Sequence, residues 1–184
     1  AGSMMPAPPG AALTWRTPLP PDRGGLAPDR PARVGIRAMD FVVRFASTPE
    51  DREAAFVLRK AVFEIEQGVP RPLDRDAFDA NADHAVVFDG DGRCVGTGRL
   101  VRLDNRTCQI GRMGTAAGAR GQGVGARVLE ALERMAALRG VAEIVLHAQL
   151  PAEAFYRNRG YVAEGAPFKD QGVPHVLMRK RLVR

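Results

Sequence analysis

The chain has 184 residues, so we predict one domain, which at this length can bury a hydrophobic core. Its 27 basic and 21 acidic residues leave a net charge of +6, which favours an anionic ligand unless it only reflects genomic composition. Like charges form no long block and aromatic residues make up 6%, so the composition argues against nucleic acid as a partner.

The apolar runs and the two cysteines bear on membrane association, metal binding and location. No apolar run is long enough to span a bilayer, so we expect no membrane partner. Cys94 and Cys108 show neither the spacing of a metal site nor that of a disulfide framework. We therefore expect no metal cofactor and a reducing, cytoplasmic location.

Residues 1–39 differ in composition from the rest of the chain. They hold eight of the 14 prolines and show no apolar period, so we do not expect them to bury a core. Ala1-Gly2-Ser3 ahead of Met4 is predicted to be a remnant of cloning. The prediction is a flexible arm rich in proline and glycine over residues 1–39 and a folded domain over residues 40–184.

The folded part is predicted to begin with a short strand at residues 41–45. Ser47-Thr48-Pro49-Glu50 then indicates a helix start, with a capping hydroxyl and a proline in the first turn, and the helix is predicted to end at Gly68. Residues 69–83 form an acidic connection. We interpret it as a solvated loop or short helix, the alternative being a lid that attracts a cationic substrate.

Apolar periodicity and turn residues predict the rest of the domain. The order is strand, helix, three strands, helix, strand, helix and two strands, which indicates a mixed sheet flanked by helices. The predicted strands after the first helix are residues 84–89, 94–103, 108–113, 143–147, 161–163 and 174–180, and the later helices are residues 124–139 and 151–160.

A glycine-rich loop, Arg120-Gly121-Gln122-Gly123-Val124-Gly125, lies between a predicted strand and a predicted helix. Free backbone N–H groups and the positive end of a helix dipole make such a loop a candidate phosphate site. A dinucleotide fold is not indicated, because four strands precede the loop and the strand after its helix ends in His147 rather than an acid. The lysine and hydroxyl residue of a P-loop NTPase are also missing.

The loop matches the R/Q-x-x-G-x-G/A signature of the Gcn5-related N-acetyltransferase (GNAT) superfamily. The run from Phe155 to Tyr161 begins thirty residues past Gly125, and it resembles the F-Y-x-x-x-G-F/Y element of the same superfamily. The resemblance covers about residues 41–182. It implies an α/β (α+β) GNAT fold, with a mixed, mostly antiparallel sheet of six or seven strands, flanking helices and a splayed central strand pair.

Several shorter segments resemble more narrowly the branch of bacterial acetyltransferases typified by ElaA and YjcF. Many superfamily members carry asparagine where this chain has Gln149, and an Ala-Val-like pair where it has Gly114 and Thr115. The segments similar to the branch are Val62-Phe63, Glu66-Gln67-Gly68-Val69-Pro70, Gly96-Thr97-Gly98-Arg99-Leu100, Ile110-Gly111-Arg112 and Pro174-His175.

The resemblance implies acetyl-CoA (coenzyme A) as the ligand. Its pyrophosphate would lie on the amides of the glycine-rich loop, and its pantetheine arm would pair with the strand before the loop. Arg127 either adds charge nearby or is an exposed helix residue. The implied cofactor-binding residues are Met113, Thr115, Arg120, Gly121, Gln122, Gly123, Val124, Gly125, Ala126, Gln149 and Phe155.

The implied reaction is direct attack of an amine on the thioester. Tyr156 stands at the general-acid position of the family, with packing against the cofactor as its alternative role. Glu66, His147 and His175 are the candidate bases, and a water chain is the other possibility. The acceptor is a small-molecule or protein amine, and a homodimer is possible. One alternative is an acyltransferase like the acyl-homoserine-lactone synthases, whose acidic motif Asp74-Arg75-Asp76 and Asp79 faintly resemble. The other is a non-catalytic CoA-binding module.

Overall fold

The computed structural model describes residues 40–69 and 75–182, so the predicted arm at residues 1–39 lies outside the described residues. Within the described ranges, no helix is long and apolar enough to cross a membrane. The described strands are β1 (Val42–Phe45), β2 (Asp83–Phe88), β3 (Cys94–Arg102), β4 (Thr107–Thr115), β5 (Glu143–Gln149), β6 (Val162–Asp170) and β7 (Val173–Arg181). The described α-helices are α1 (Pro49–Arg59), α2 (Val124–Leu138) and α3 (Glu153–Arg157).

Helix α1 begins where its sequence predicts. The Thr48 hydroxyl accepts a hydrogen bond from the Asp51 amide (3.2 Å), and Pro49 occupies the first turn, where a missing N–H costs nothing. After Arg59 the helix widens into a π-helical segment, Lys60–Glu66, which the sequence does not predict.

The strands form one sheet in the order β1-β2-β3-β4-β5-β7-β6, in which only β4 and β5 are parallel. Helix α2 packs on one face and α1 on the other, each over the first half of the sheet. Gly96 and Gly98 let α2 approach β3. A Cβ at Gly96 would lie 2.4 Å from Val124, and a Cβ at Gly98 would lie 2.6 Å from Val128. The predicted element order and the mixed, mostly antiparallel sheet are confirmed.

Strands β4 and β5 separate halfway along their length. They pair from Thr107 to Ile110 with Glu143 to Leu146, and the described ladder ends there. Beyond it β4 bulges, with a register shift against β3 and a positive φ of 54° at Arg112. The predicted splayed central pair is therefore present, and it leaves a slot between two buried strands.

The last two strands differ from the sequence prediction. Residues 161–163 were expected to form a short strand, but β6 runs from Val162 to Asp170 and forms a long hairpin with β7. Its pairing is interrupted between Glu164 and Phe168, an irregularity that accommodates Pro167 in an edge strand. Residues 171 and 172 both have positive φ (50° and 81°), as in a two-residue hairpin turn.

Candidate active site

A cavity of about 220 Å³ opens at the slot between β4 and β5. Its lining comes from the π-helical segment, strands β3 to β5, helix α3 and the β6–β7 hairpin, so elements distant in sequence meet there. Helix α1 covers β2 to β4 and leaves this side of β5 and β7 open. Its lining residues include Gln67, Arg99, Arg112, Met113, His147, Gln149, Tyr156, Asp170 and His175.

Tyr156 lines this cavity and carries a buried hydroxyl group. Pro151 precedes α3 in a 3₁₀ turn, and α3 then directs the ring toward β4, where its Oη donates to the sulfur of Met113 (3.6 Å). Phe155 and Tyr161 hold the ring in edge-on contacts, with centroids 5.0 and 5.8 Å away. Burial raises the pKa of Tyr156 to about 12, so the phenol keeps its proton at physiological pH.

The glycine-rich loop leads into α2 beside this slot. Gly121 and Gly123 have φ angles of 75° and 80°, and Gly123 begins the helix without a side-chain cap. Within the described residues, no backbone carbonyl accepts from the amides of residues 121–126; the Arg127 amide is the first to donate, to Gly123 (3.1 Å). Free amides at an uncapped helix start fit a pyrophosphate.

Other predicted cofactor-binding residues flank the loop. Gly125 lies between Phe155 and Thr115, and a Cβ there would be 3.6 Å from both. The Gln122 side chain donates to the Gly118 carbonyl (2.8 Å), which stabilises the loop from within. The structure therefore brings these predicted residues together along one edge of the slot.

Arg120 and Glu66 form a salt bridge outside the cavity lining. Both guanidinium Nη atoms donate to the Glu66 carboxylate at 2.6 Å, and Arg120 Nε donates to the Thr115 carbonyl (3.2 Å). The hydrogen bond from Arg120 lowers the pKa of Glu66, which makes it a poorer proton acceptor. The structure thus places Glu66 beside Arg120 of the glycine-rich loop and not with the candidate bases in the cavity.

The two histidines proposed as bases lie on one face of the open side of the sheet. His175 pairs with Gln149 across β5 and β7, and His147 lies two residues from Gln149. His175 Nδ1 donates to the Val173 carbonyl (2.8 Å), which leaves Nε2 with its lone pair in the neutral ring. The exposed His147 ring packs edge-on against Phe168, with the centroids 4.9 Å apart.

Gln149 holds the edge of the cavity next to the π-helical segment. Its amide donates to the side-chain oxygen of Gln67 (3.1 Å), so β5 is linked to the end of the first helix. Arg127, in contrast, is exposed on α2, and its guanidinium lies 5.8 Å from the Phe41 ring. This contact matches the reading of Arg127 as an exposed helix residue.

A buried ion network that sequence reasoning missed lies behind the cavity. It consists of Arg59, Asp76, Asp79, Arg99 and Arg112. Asp79 accepts from Arg59 (2.8 and 3.3 Å) and from Arg99 (2.8 Å), while Asp76 accepts from Arg99 (2.7 Å) and Arg112 (2.8 Å). The sequence did contain a signal for this network. Arg99 is a charged residue within a strand that is otherwise predicted to be buried, and a buried charge needs a partner of opposite sign.

Residues 69–83 were predicted to be a solvated loop or a short helix; a short 3₁₀ helix, Asp79–Asn81, is present, but the network shows that Asp76 and Asp79 are not simply solvated. Asp79 is buried and Asp76 is half-buried, because both carboxylates turn inward to the arginines of α1, β3 and β4. Burial alone would raise the pKa of Asp79, but hydrogen bonds from Arg59, the Asp76 amide and Arg99 outweigh it and hold that pKa well below its usual range. Asp76 and Asp79 are therefore structural partners of the cavity arginines Arg99 and Arg112.

Comparison with known proteins agrees with this architecture. The family described as "Acetyltransferase (GNAT) domain" matches residues 46–182. YjcF of Bacillus subtilis, an uncharacterised N-acetyltransferase, is 36% identical over 136 residues, which are 73% of this chain and 96% of YjcF.

Solved structures show the same fold. An acyl-CoA N-acyltransferase from Pseudomonas aeruginosa is 28% identical and superposes with a TM-score of 0.66, covering 77% of this chain and 99% of the other. ElaA of Escherichia coli has the same TM-score at 24% identity and covers 77% and 99% of the two chains. The fold and these relatives place the protein in the class of acyl-CoA-dependent N-acyltransferases. The chain belongs to the GNAT superfamily, among the YjcF-like acetyltransferases.

Proposed function

We propose that this enzyme transfers an acetyl group from acetyl-CoA to a primary amine, on a small molecule or a protein, by direct attack in a ternary complex. One observation carries the proposal: the buried Tyr156 hydroxyl lies beside Met113 in the slot between the splayed strands. The uncapped glycine-rich loop leads into the helix that flanks the same slot. A ligand-anchoring loop and a proton donor thus share one edge of the sheet.

The loop residues would hold the pyrophosphate and the strand residues would hold the pantetheine arm of the acyl-CoA. The amides of residues 121–126 supply hydrogen bonds. The part of β4 from Met113 to Thr115 is not paired with β5, and it supplies backbone groups at the slot. Gln149 lines the cavity, and Phe155 lies beside Gly125 of the loop. When bound, acyl-CoA supplies an acyl carbonyl activated as a thioester. We propose that the Met113 amide stabilises negative charge on that carbonyl.

Tyr156 is proposed to be the general acid. Its Oη holds a proton that a buried phenol with a raised pKa does not lose to solvent near neutral pH. Met113 Sδ is a weak acceptor, so this hydrogen bond orients the hydroxyl without holding its proton strongly. The group can therefore donate to a leaving sulfur in the cavity.

His175 is proposed to be the base that removes a proton from the incoming ammonium. It lines the cavity, and its hydrogen bond from Nδ1 to the Val173 carbonyl leaves Nε2 as the nitrogen that can accept a proton. His147 lines the same cavity but no described side chain or carbonyl accepts from or donates to its ring nitrogens. We therefore assign His147 a role in packing against Phe168, and the base role to His175.

Replacing His175 by glutamine is expected to lower kcat/KM at pH 7 by about 10²-fold, since a positioned base contributes at least this much. The loss should shrink at higher pH, where more of the amine is already unprotonated. Measuring rate against pH for the wild type, His175→Gln and His147→Gln checks the assignment. A loss that is larger for His147→Gln than for His175→Gln would move the base role to His147.

Glu66→Gln tests the third candidate base. Because Glu66 pairs with Arg120 outside the cavity, we expect kcat to change by less than about threefold, within the range of a surface ion pair. The substitution frees Arg120 from its carboxylate partner, so the Kd for acetyl-CoA should fall or stay the same. A fall in kcat comparable with that of His175→Gln would show that Glu66 is the base after all.

The overall activity is tested by thiol release from acetyl-CoA over a panel of amines, together with the melting temperature with and without acetyl-CoA. We expect a higher Tm and turnover with at least one amine. A higher Tm without any turnover would favour the non-catalytic CoA-binding module. An unchanged Tm would contradict the proposal that acetyl-CoA is the ligand.

One observation favours the synthase-like alternative. The acidic segment that resembles the motif of the acyl-homoserine-lactone synthases does reach the cavity arginines, through Asp76 and Asp79. That activity would yield an acyl lactone, which mass spectrometry of the product distinguishes from an acetylated amine. The cytoplasmic location, the homodimer and the flexible arm stay predictions.

A further inference from the structure

Two of the three arginines of the ion network line the cavity, and neither of its aspartates does. Arg99 and Arg112 line the cavity, whereas Asp76 and Asp79, which pair with them, do not belong to its lining. Arg112 reaches this position through the β4 bulge, where its φ of 54° is unusual for a residue other than glycine. Backbone strain of this kind persists mainly where function requires a side-chain position.

The charges of the network do not balance. Among its described members, three arginines face two aspartates, which leaves one positive charge in excess. The neighbouring His84 does not change the count, because burial lowers its pKa and keeps the ring neutral. A partly buried site with an uncompensated cation favours an anionic ligand.

The hydrogen-bond donors are not all used either. Arg99 donates to both aspartates through Nη1, and no described group accepts from its Nη2. Arg112 donates to Asp76 through Nη2, and no described group accepts from its Nη1. Guanidinium groups with spare donors bind carboxylates in two-point geometry.

The opposite side of the cavity has a different character. Asp170 and His175 line it from the β6–β7 hairpin, across the splay from Arg99 and Arg112. A carboxylate and a free imidazole nitrogen suit an ammonium group. The cavity is thus polarised, with a cationic wall on β3 and β4 and a wall for an amine on β6 and β7.

We propose that Arg99 and Arg112 bind a carboxylate of the acceptor, so that the acceptor is an amine that carries a carboxylate, such as an amino acid. The inference rests on the proposed acetyl transfer and names its substrate class. Arg112 is the residue to test, because Arg99 also holds both aspartates of the network and its removal would threaten the fold.

The test compares the twenty α-amino acids with their α-amides as acceptors at a fixed acetyl-CoA concentration. For the best amino acid we expect kcat/KM at least about tenfold above that of its amide, the range for a hydrogen bond to a charged group. Arg112→Gln should abolish this preference and Arg112→Lys should retain part of it. The control Arg93→Gln removes a 76% exposed arginine from the turn between β2 and β3 and should leave the preference unchanged.

A second arm does not depend on turnover. With CoA present, the N-acetylated amino acids should raise the Tm of the wild type, their amides should not, and Arg112→Gln should lose the effect. If no amine reacts but this pattern of Tm holds, the carboxylate site stands and the proposed activity fails. If amides react or bind as well as the acids, if Arg112→Gln keeps the preference, or if no amino acid reacts and no acetylated one binds, the carboxylate site is overturned.

Discussion

Tyr156→Phe is expected to lower kcat by about 10²-fold or more while the protein keeps its fold and its affinity for acetyl-CoA. The substitution removes one hydroxyl, whose described hydrogen bond is the weak one to Met113 Sδ. The ring stays in its contacts with Phe155 and Tyr161, so the packing of α3 does not change. The loss therefore falls on proton donation and not on structure.

Tyr161→Phe is the matched control for this prediction. Tyr161 is a buried tyrosine that does not line the cavity, so its hydroxyl should be dispensable for turnover. Pre-steady-state acetylation rates and acetyl-CoA titrations of the two variants separate chemistry from binding. Equal losses in both variants, or none in Tyr156→Phe, would leave Tyr156 as a packing residue.

The pH dependence of the wild type follows from the same environment. Because burial raises the pKa of Tyr156 to about 12, the acid stays protonated through pH 10, where an ordinary tyrosine would be half ionised. We expect no loss of rate from this group between pH 8 and pH 10. A rate that falls with an apparent pKa near 10 would contradict the buried position of the hydroxyl.

Asp79→Asn is expected to lower the free energy of unfolding by about 3–5 kcal/mol, as for removal of one partner of a buried ion pair. The side chain of Arg59 is fully buried, and Asp79 supplies its carboxylate partner. The asparagine keeps the shape but leaves the guanidinium uncompensated. Urea unfolding at pH 7 measures the change.

Glu53→Gln provides the control on the surface. Its partner is Arg75 at 3.0 Å, both side chains are more than half exposed, and the pair should contribute less than about 1 kcal/mol. If Asp79→Asn is no more destabilising than this control, the network is not a stabilising element of the fold.

The effect of Asp79 should also depend on pH in a defined direction. Its pKa in the folded state lies below the unfolded value of about 4, so its contribution is present above that pH and is lost as the pH falls below it. The difference between the wild type and Asp79→Asn should therefore narrow below about pH 4. A difference that widens in acid would show that the pKa is raised instead.

Local sequence signals were sufficient for the order of the elements and for half of the candidate site. The hydroxyl cap at Thr48 and the helical period after Gly123 depend on neighbours within one turn, so their consequences can be predicted from the sequence. The glycine-rich loop and the run around Tyr156 are also short, contiguous motifs. Their predicted meeting at one edge of the sheet followed from the family resemblance.

The tertiary structure alone decided which charges meet. Arg59 and Asp79 are 20 residues apart, and Glu66 and Arg120 are 54 apart, so no local pattern joins them. The sequence therefore indicated a solvated loop or short helix at residues 69–83 and left Glu66 as one of three candidate bases. The tertiary structure buries Asp79 against Arg59 and Arg99, and it pairs Glu66 with Arg120 of the glycine-rich loop. Burial and charge pairing depend on long-range contacts, and those contacts made Arg112 a part of the cavity wall.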